Sequence, residues 1–157
     1  MMDMLFDRRG ALRFAAAGLL LGGTTARGRA GVFDSVELDR RAKVLSQSTL
    51  VIPAASASGV PGVAGADVVC PRRGFFGIDW AISDKRELTV MMVTERQKSD
   101  IASGRRLSGQ PLMRIPVQGP EVAGQNITVT GGRFFVAFLN AESSPARIAY
   151  RTSFQAF

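Results

Sequence analysis

A chain of 157 residues, 46% hydrophobic and 21% charged, has room for one domain of ordinary size and argues against both a second domain and wholesale disorder. The formal charge of +7 divides unevenly: Arg8, Arg9, Arg13, Arg27 and Arg29 against Asp3 and Asp7 put +3 in the first 30 residues, and 15 basic against 11 acidic residues leave +4 for the remainder. Spread along the chain, that excess is a weak electrostatic footprint for a phosphate backbone, so no nucleic-acid partner is expected.

Residues 1–30 read as a cleavable leader. They carry a charged start, an apolar stretch from Phe14 to Gly23 too short to span a bilayer, and a small-residue exit at Gly28-Arg29-Ala30, with cleavage expected after Ala30. The run Asp7-Arg8-Arg9-Gly10-Ala11-Leu12-Arg13 resembles the twin-arginine export consensus through Arg8, Arg9, Leu12 and Arg13, with Ala11 where phenylalanine is usual. An uncleaved amphipathic anchor or an ordinary secretory signal is the alternative. The twin-arginine resemblance implies a bacterial protein, periplasmic or secreted, with no membrane span once the leader is removed.

Residues 31–43 form a polar arm, either a short helix or a loose segment, and the domain proper is expected over 44–157. In Val44 to Ile52, the residues Val44, Ser46, Ser48, Leu50 and Ile52 share one face at period two, which predicts a first strand ending at Pro53. Residues 54–66, AASASGVPGVAGA, are small and flexible and read as a loop or linker. In Phe75 to Ile82, the residues Phe76, Ile78, Trp80 and Ile82 point one way while Phe75, Gly77, Asp79 and Ala81 point the other. A polar turn at 83–86 then leads to Glu87–Val93, whose Leu88, Val90 and Met92 share a face, and a hairpin between these two strands is predicted. Thr94 and Gln97 are spaced as a capping box before a helix over Glu95–Ser103, and Gly104 supplies its stop.

Three further strands are predicted at Leu112–Val117, Gln125–Thr130 and Arg133–Asn140, the last two joined by Gly131-Gly132 in a tight turn. A closing strand over Ala146–Phe154 places Ala146, Ile148, Tyr150, Thr152 and Phe154 inward and Arg147, Ala149, Arg151 and Ser153 outward. The expected fold is therefore all-β, a small antiparallel β-sandwich of about seven strands with one short helix.

From Ile127 through Gly131, Gly132, Phe134, Phe135 and Phe138 to Asn140, a strand, a glycine turn, an aromatic strand and an asparagine follow one another, and this segment resembles the end of the pre-peptidase C-terminal type of β-sandwich. The likeness covers about thirty residues, through Tyr150. It implies an exported, accessory, non-catalytic domain, some members of which help attach or target a partner.

Histidine is absent from the chain, which removes the commonest general base near neutral pH and the commonest zinc ligand. Cys70 is the only cysteine, so a cysteine-cluster metal site and an intramolecular disulfide are excluded; no metal and no cofactor are expected. Arg72 and Arg73 lie beside Cys70 and would lower its pKa, which suggests a reactive thiol, whereas Val68 and Val69 before it suggest a buried apolar residue. Asp79 and Asp84 are the nearest carboxylate pair and read as solvated. Asn126-Ile127-Thr128 matches a glycosylation acceptor by chance. Arg147 and Arg151, with Arg133 on a neighbouring strand, suggest a cationic stripe for an acidic partner, and Phe75, Phe76, Trp80, Phe134, Phe135 and Phe138 either line an apolar face or pack between sheets. The expected function is an exported, non-catalytic binding or accessory module acting through protein contacts. Its alternatives are a small subunit exported with a cofactor-bearing partner, or an enzyme of unfamiliar type using Cys70 or acids such as Asp79.

Overall fold

The computed structural model describes residue 33 and residues 41–157. The leader expected at 1–30 and most of the polar arm lie outside the described residues. Among the described residues there are eight strands, β1 Lys43–Ile52, β2 Gly62–Cys70, β3 Gly74–Ile82, β4 Glu87–Thr94, β5 Met113–Gln118, β6 Glu121–Val129, β7 Gly132–Asn140 and β8 Ala146–Ala156, and one helix, α1 Glu95–Ala102. They form two antiparallel four-stranded sheets, ordered β1-β8-β3-β6 and β2-β7-β4-β5. The all-β sandwich expected from the sequence is the fold observed.

The alternating residues explain why two sheets face each other. Phe76, Ile78, Trp80 and Ile82 of β3 and Ile148, Tyr150 and Phe154 of β8 point from the first sheet into one core. Val90 and Met92 of β4 and Phe134, Val136 and Phe138 of β7 meet them from the second. Removing this apolar area from water is the main stabilising term. The Phe138 and Tyr150 rings lie 5.4 Å apart across the interface.

Three expectations about connectivity are corrected. Residues 62–66 are part of β2, a strand hidden by its small residues Gly62, Ala64, Gly65 and Ala66; Gly65 sits where a Cβ would strike the backbone of Val136 on the neighbouring strand. Strands β3 and β4 do not form a hairpin. β3 pairs with β6 and β8, and β4 with β5 and β7, so residues 83–86 carry the chain from one sheet to the other. Each strand has a neighbour on both sides within its own sheet, so its backbone donors and acceptors are paired along both edges. Gly131 and Gly132 do have positive φ, at 100° and 126°, but they too join strands of different sheets.

Register shifts between Val44 and Ser46, so Ser46, Ser48, Leu50 and Ile52 face inward with their partners on β8 while Val44 turns outward, 41% exposed. The helix begins with the expected capping box, Gln97 N–H to Thr94 Oγ1 at 3.4 Å and Thr94 N–H to Gln97 Oε1 at 3.1 Å. It covers the outer face of the second sheet, where Ile101 packs with Met91, Val93 and Ala137. Among the described residues no helix is long and apolar enough to cross a membrane.

Candidate functional site

Cys70 ends β2 with its side chain in the core, 1% exposed, and burial pushes its thiol pKa up. The lowering expected from Arg72 and Arg73 is thus corrected, because both arginines point to solvent while the thiol faces the opposite sheet. Trp80 is a core residue whose indole N–H donates to Glu121 Oε1 at 2.8 Å. Both residues act within the packing.

The cationic stripe is corrected in the same way. Arg151 and Asp79 are direct cross-strand partners on the outer face of the first sheet, and the guanidinium holds the carboxylate through Nε at 2.8 Å and Nη2 at 2.7 Å. Phe33 lies over this pair, its ring centroid 5.2 Å from the Arg151 guanidinium carbon, and packs with Ala81, Val122 and Ala149. Asp79 is therefore 3% exposed and Arg151 9%, so the solvated pairing of Asp79 with Asp84 does not exist. Arg147 is exposed on the outer face of β8, and Arg133 is exposed on β7 in the other sheet. Arg147 and Arg151 share the outer face of the first sheet, where Arg151 is buried, and Arg133 lies in the other sheet.

Arg133 instead belongs to a different grouping, at the end of the sandwich where β2 and β6 finish and β3 and β7 begin. Register places it opposite Val69, next to the connection through Pro71, Arg72 and Arg73. The Arg72 backbone lies against Gly131, which ties the two connections together. Phe157 donates its N–H to the Arg73 carbonyl at 3.3 Å, meets Phe75 edge-on at 4.7 Å, and lies under the Arg73 guanidinium at 5.4 Å. Lys43 joins the same end through its register with Phe154. Phe75, Val69 and Phe157 are 45%, 55% and 58% exposed. Among the described residues none of Lys43, Arg72, Arg73 and Arg133 makes an ion pair.

The opposite end carries charges of both signs, four acids with Lys85, Arg86 and Arg147. Asp84 and Glu142 flank Arg86 at 3.4 and 3.2 Å, with Glu87 and Glu121 nearby in the same strand ends. Asn140 is buried there and fully used: its Nδ2 donates to the carbonyls of Pro53 and Ser144 at 3.0 and 2.8 Å, and its Oδ1 accepts from Glu142 N–H at 3.1 Å. The asparagine that closes the sequence motif is thus a loop clamp. Arg72, Arg73 and Phe157 were missed as surface residues. Their signal was the pair of arginines before a strand whose first outward residue is aromatic.

Among the solved structures to which the chain is similar are two of distant sequence. One is the pre-peptidase C-terminal domain of collagenase from Bacillus anthracis, at 8% identity and a TM-score of 0.46, covering 68% of this chain and 88% of that one. The other is PirA, at 14% identity and a TM-score of 0.41, covering 66% and 90%. No family model matches the chain, and no curated protein matches it. Among the described residues no group of three or more histidine, cysteine, aspartate or glutamate side chains is arranged to hold a metal ion.

Proposed function

We propose that the protein is an exported, non-catalytic binding module that engages an acidic protein partner through the basic, aromatic end of its sandwich. The observation that carries this reading is the grouping of Lys43, Arg72, Arg73 and Arg133, free of ion pairs among the described residues, around the exposed rings of Phe75 and Phe157. Arginine and large aromatic side chains are the types that concentrate binding energy at protein interfaces, and unpaired like charge steers an oppositely charged partner on approach.

Export rests on the leader, whose twin-arginine character implies passage in the folded state, alone or with a partner. Affinity purification of the tagged protein from a periplasmic fraction tests both halves of the reading. A processed protein with one partner at comparable stoichiometry, released as salt is raised through the range that screens surface charge, is the expected result. A protein retained in the cytoplasm, or a partner indifferent to salt, contradicts it.

A further inference from the structure

The outer face of the second sheet is only partly covered. Beside α1, a cavity of about 300 Å³ opens between the end of the helix and the loop at 58–61, floored by Val63, Met91 and Leu139 and walled by Ile101 and Leu107. A second depression of about 450 Å³ continues from it over Thr89 and Pro116, and the two share Pro61, Leu139 and Arg114. Register explains the trough. Arg114 on the edge strand β5 stands opposite Met91, and Thr89 lies between Pro116 and Leu139, so Arg114 is set beside the side chains of Met91 and Leu139.

The charges around the trough are unequally occupied. Arg105 faces Asp100 at 3.6 Å, and Asp100 also accepts from Ser108 Oγ and N–H at 2.7 and 2.9 Å. Arg114 makes no ion pair among the described residues. The cleft is lined by Arg105, whose charge Asp100 meets, by Arg114, and at its far end by Glu87, so the open cation at its centre is Arg114. A cleft of this size with a few convergent polar groups is the usual form of a small-molecule site, and a guanidinium receives a carboxylate in bidentate geometry.

We propose that this trough is a binding site for an aliphatic carboxylate, its chain lying against Met91, Ile101, Leu107 and Leu139 and its carboxylate held by Arg114. The site is separate from the basic end and does not depend on that end's role. The probe is decanoate, titrated calorimetrically below its micelle concentration against the full chain, with decanol as the uncharged control. Saturable one-to-one binding is expected, weakened about tenfold or more by Arg114→Gln and by exchange of decanoate for decanol. Arg114 is exposed, so its variant should fold, and an unchanged thermal midpoint confirms this. Leu139→Trp, which fills the floor, should abolish binding. Absence of saturable binding, stoichiometry that climbs with concentration, or equal affinity of wild type and Arg114→Gln would overturn the assignment.

Discussion

Two arginine environments in this molecule differ in burial and pairing. On the outer face of the first sheet, Arg151 is shut under Phe33 and spent on Asp79, whereas at the end of the sandwich Arg72, Arg73 and Arg133 face water with no ion pair among the described residues. The same side-chain type acts as a cross-strand brace in one place and as an open electrostatic surface in the other. Burial and pairing decide which, and neither is visible in net charge.

The strongest way to break the comparison is to remove one half of the brace. Asp79→Ala takes away the carboxylate that Arg151 holds and should cost about 3 kcal/mol in a denaturant titration, while Asp79→Leu with Arg151→Met, an apolar pair of similar volume, should recover most of it. If the single variant is as stable as wild type, the ion pair does not brace the sheet. Phe33→Ala comes next. It uncovers Ala81, Val122 and Ala149 and should cost about 3 kcal/mol, read as a lower unfolding midpoint; an unchanged midpoint would show that Phe33 is not a structural cover.

Cys70 offers a smaller, pH-dependent effect. Burial raises its pKa in the folded state, so the stability it contributes is complete below the thiol's unfolded value of about 8.5 and is lost as pH rises through the raised folded value. Thermal midpoints of wild type should decline over that alkaline window more steeply than those of Cys70→Ala. Parallel curves would contradict the burial of the thiol.

The two environments were unequally legible in the sequence. Alternation along 75–82 and 146–154 assigned inward and outward faces correctly, because the pleat has a period of two whatever the sheet order. It could not say that the outward face of β8 is itself covered, since the cover at Phe33 comes from far along the chain. Strand pairing was misread at 83–86 because a short polar turn serves a hairpin and a sheet crossing equally well, and β2 was overlooked because Gly62, Ala64, Gly65 and Ala66 lack the bulk that marks a strand. Arg133 was singled out correctly as exposed but grouped with the wrong partners, for grouping depends on sheet order. The capping box of Thr94 and Gln97 is local, so it was read directly.

The least destabilising change is also the most telling. Reversing charge at Arg72, Arg73 and Arg133 should shift stability by no more than about 0.5 kcal/mol per site, since all three are exposed. Partner capture from the periplasmic fraction should be compared between wild type, the variant Arg72→Glu with Arg73→Glu and Arg133→Glu, and a control with Glu87→Lys and Glu142→Lys at the opposite end. The account predicts a stoichiometric partner held by wild type and by the opposite-end control and lost from the basic-end variant; retention by the basic-end variant would contradict it.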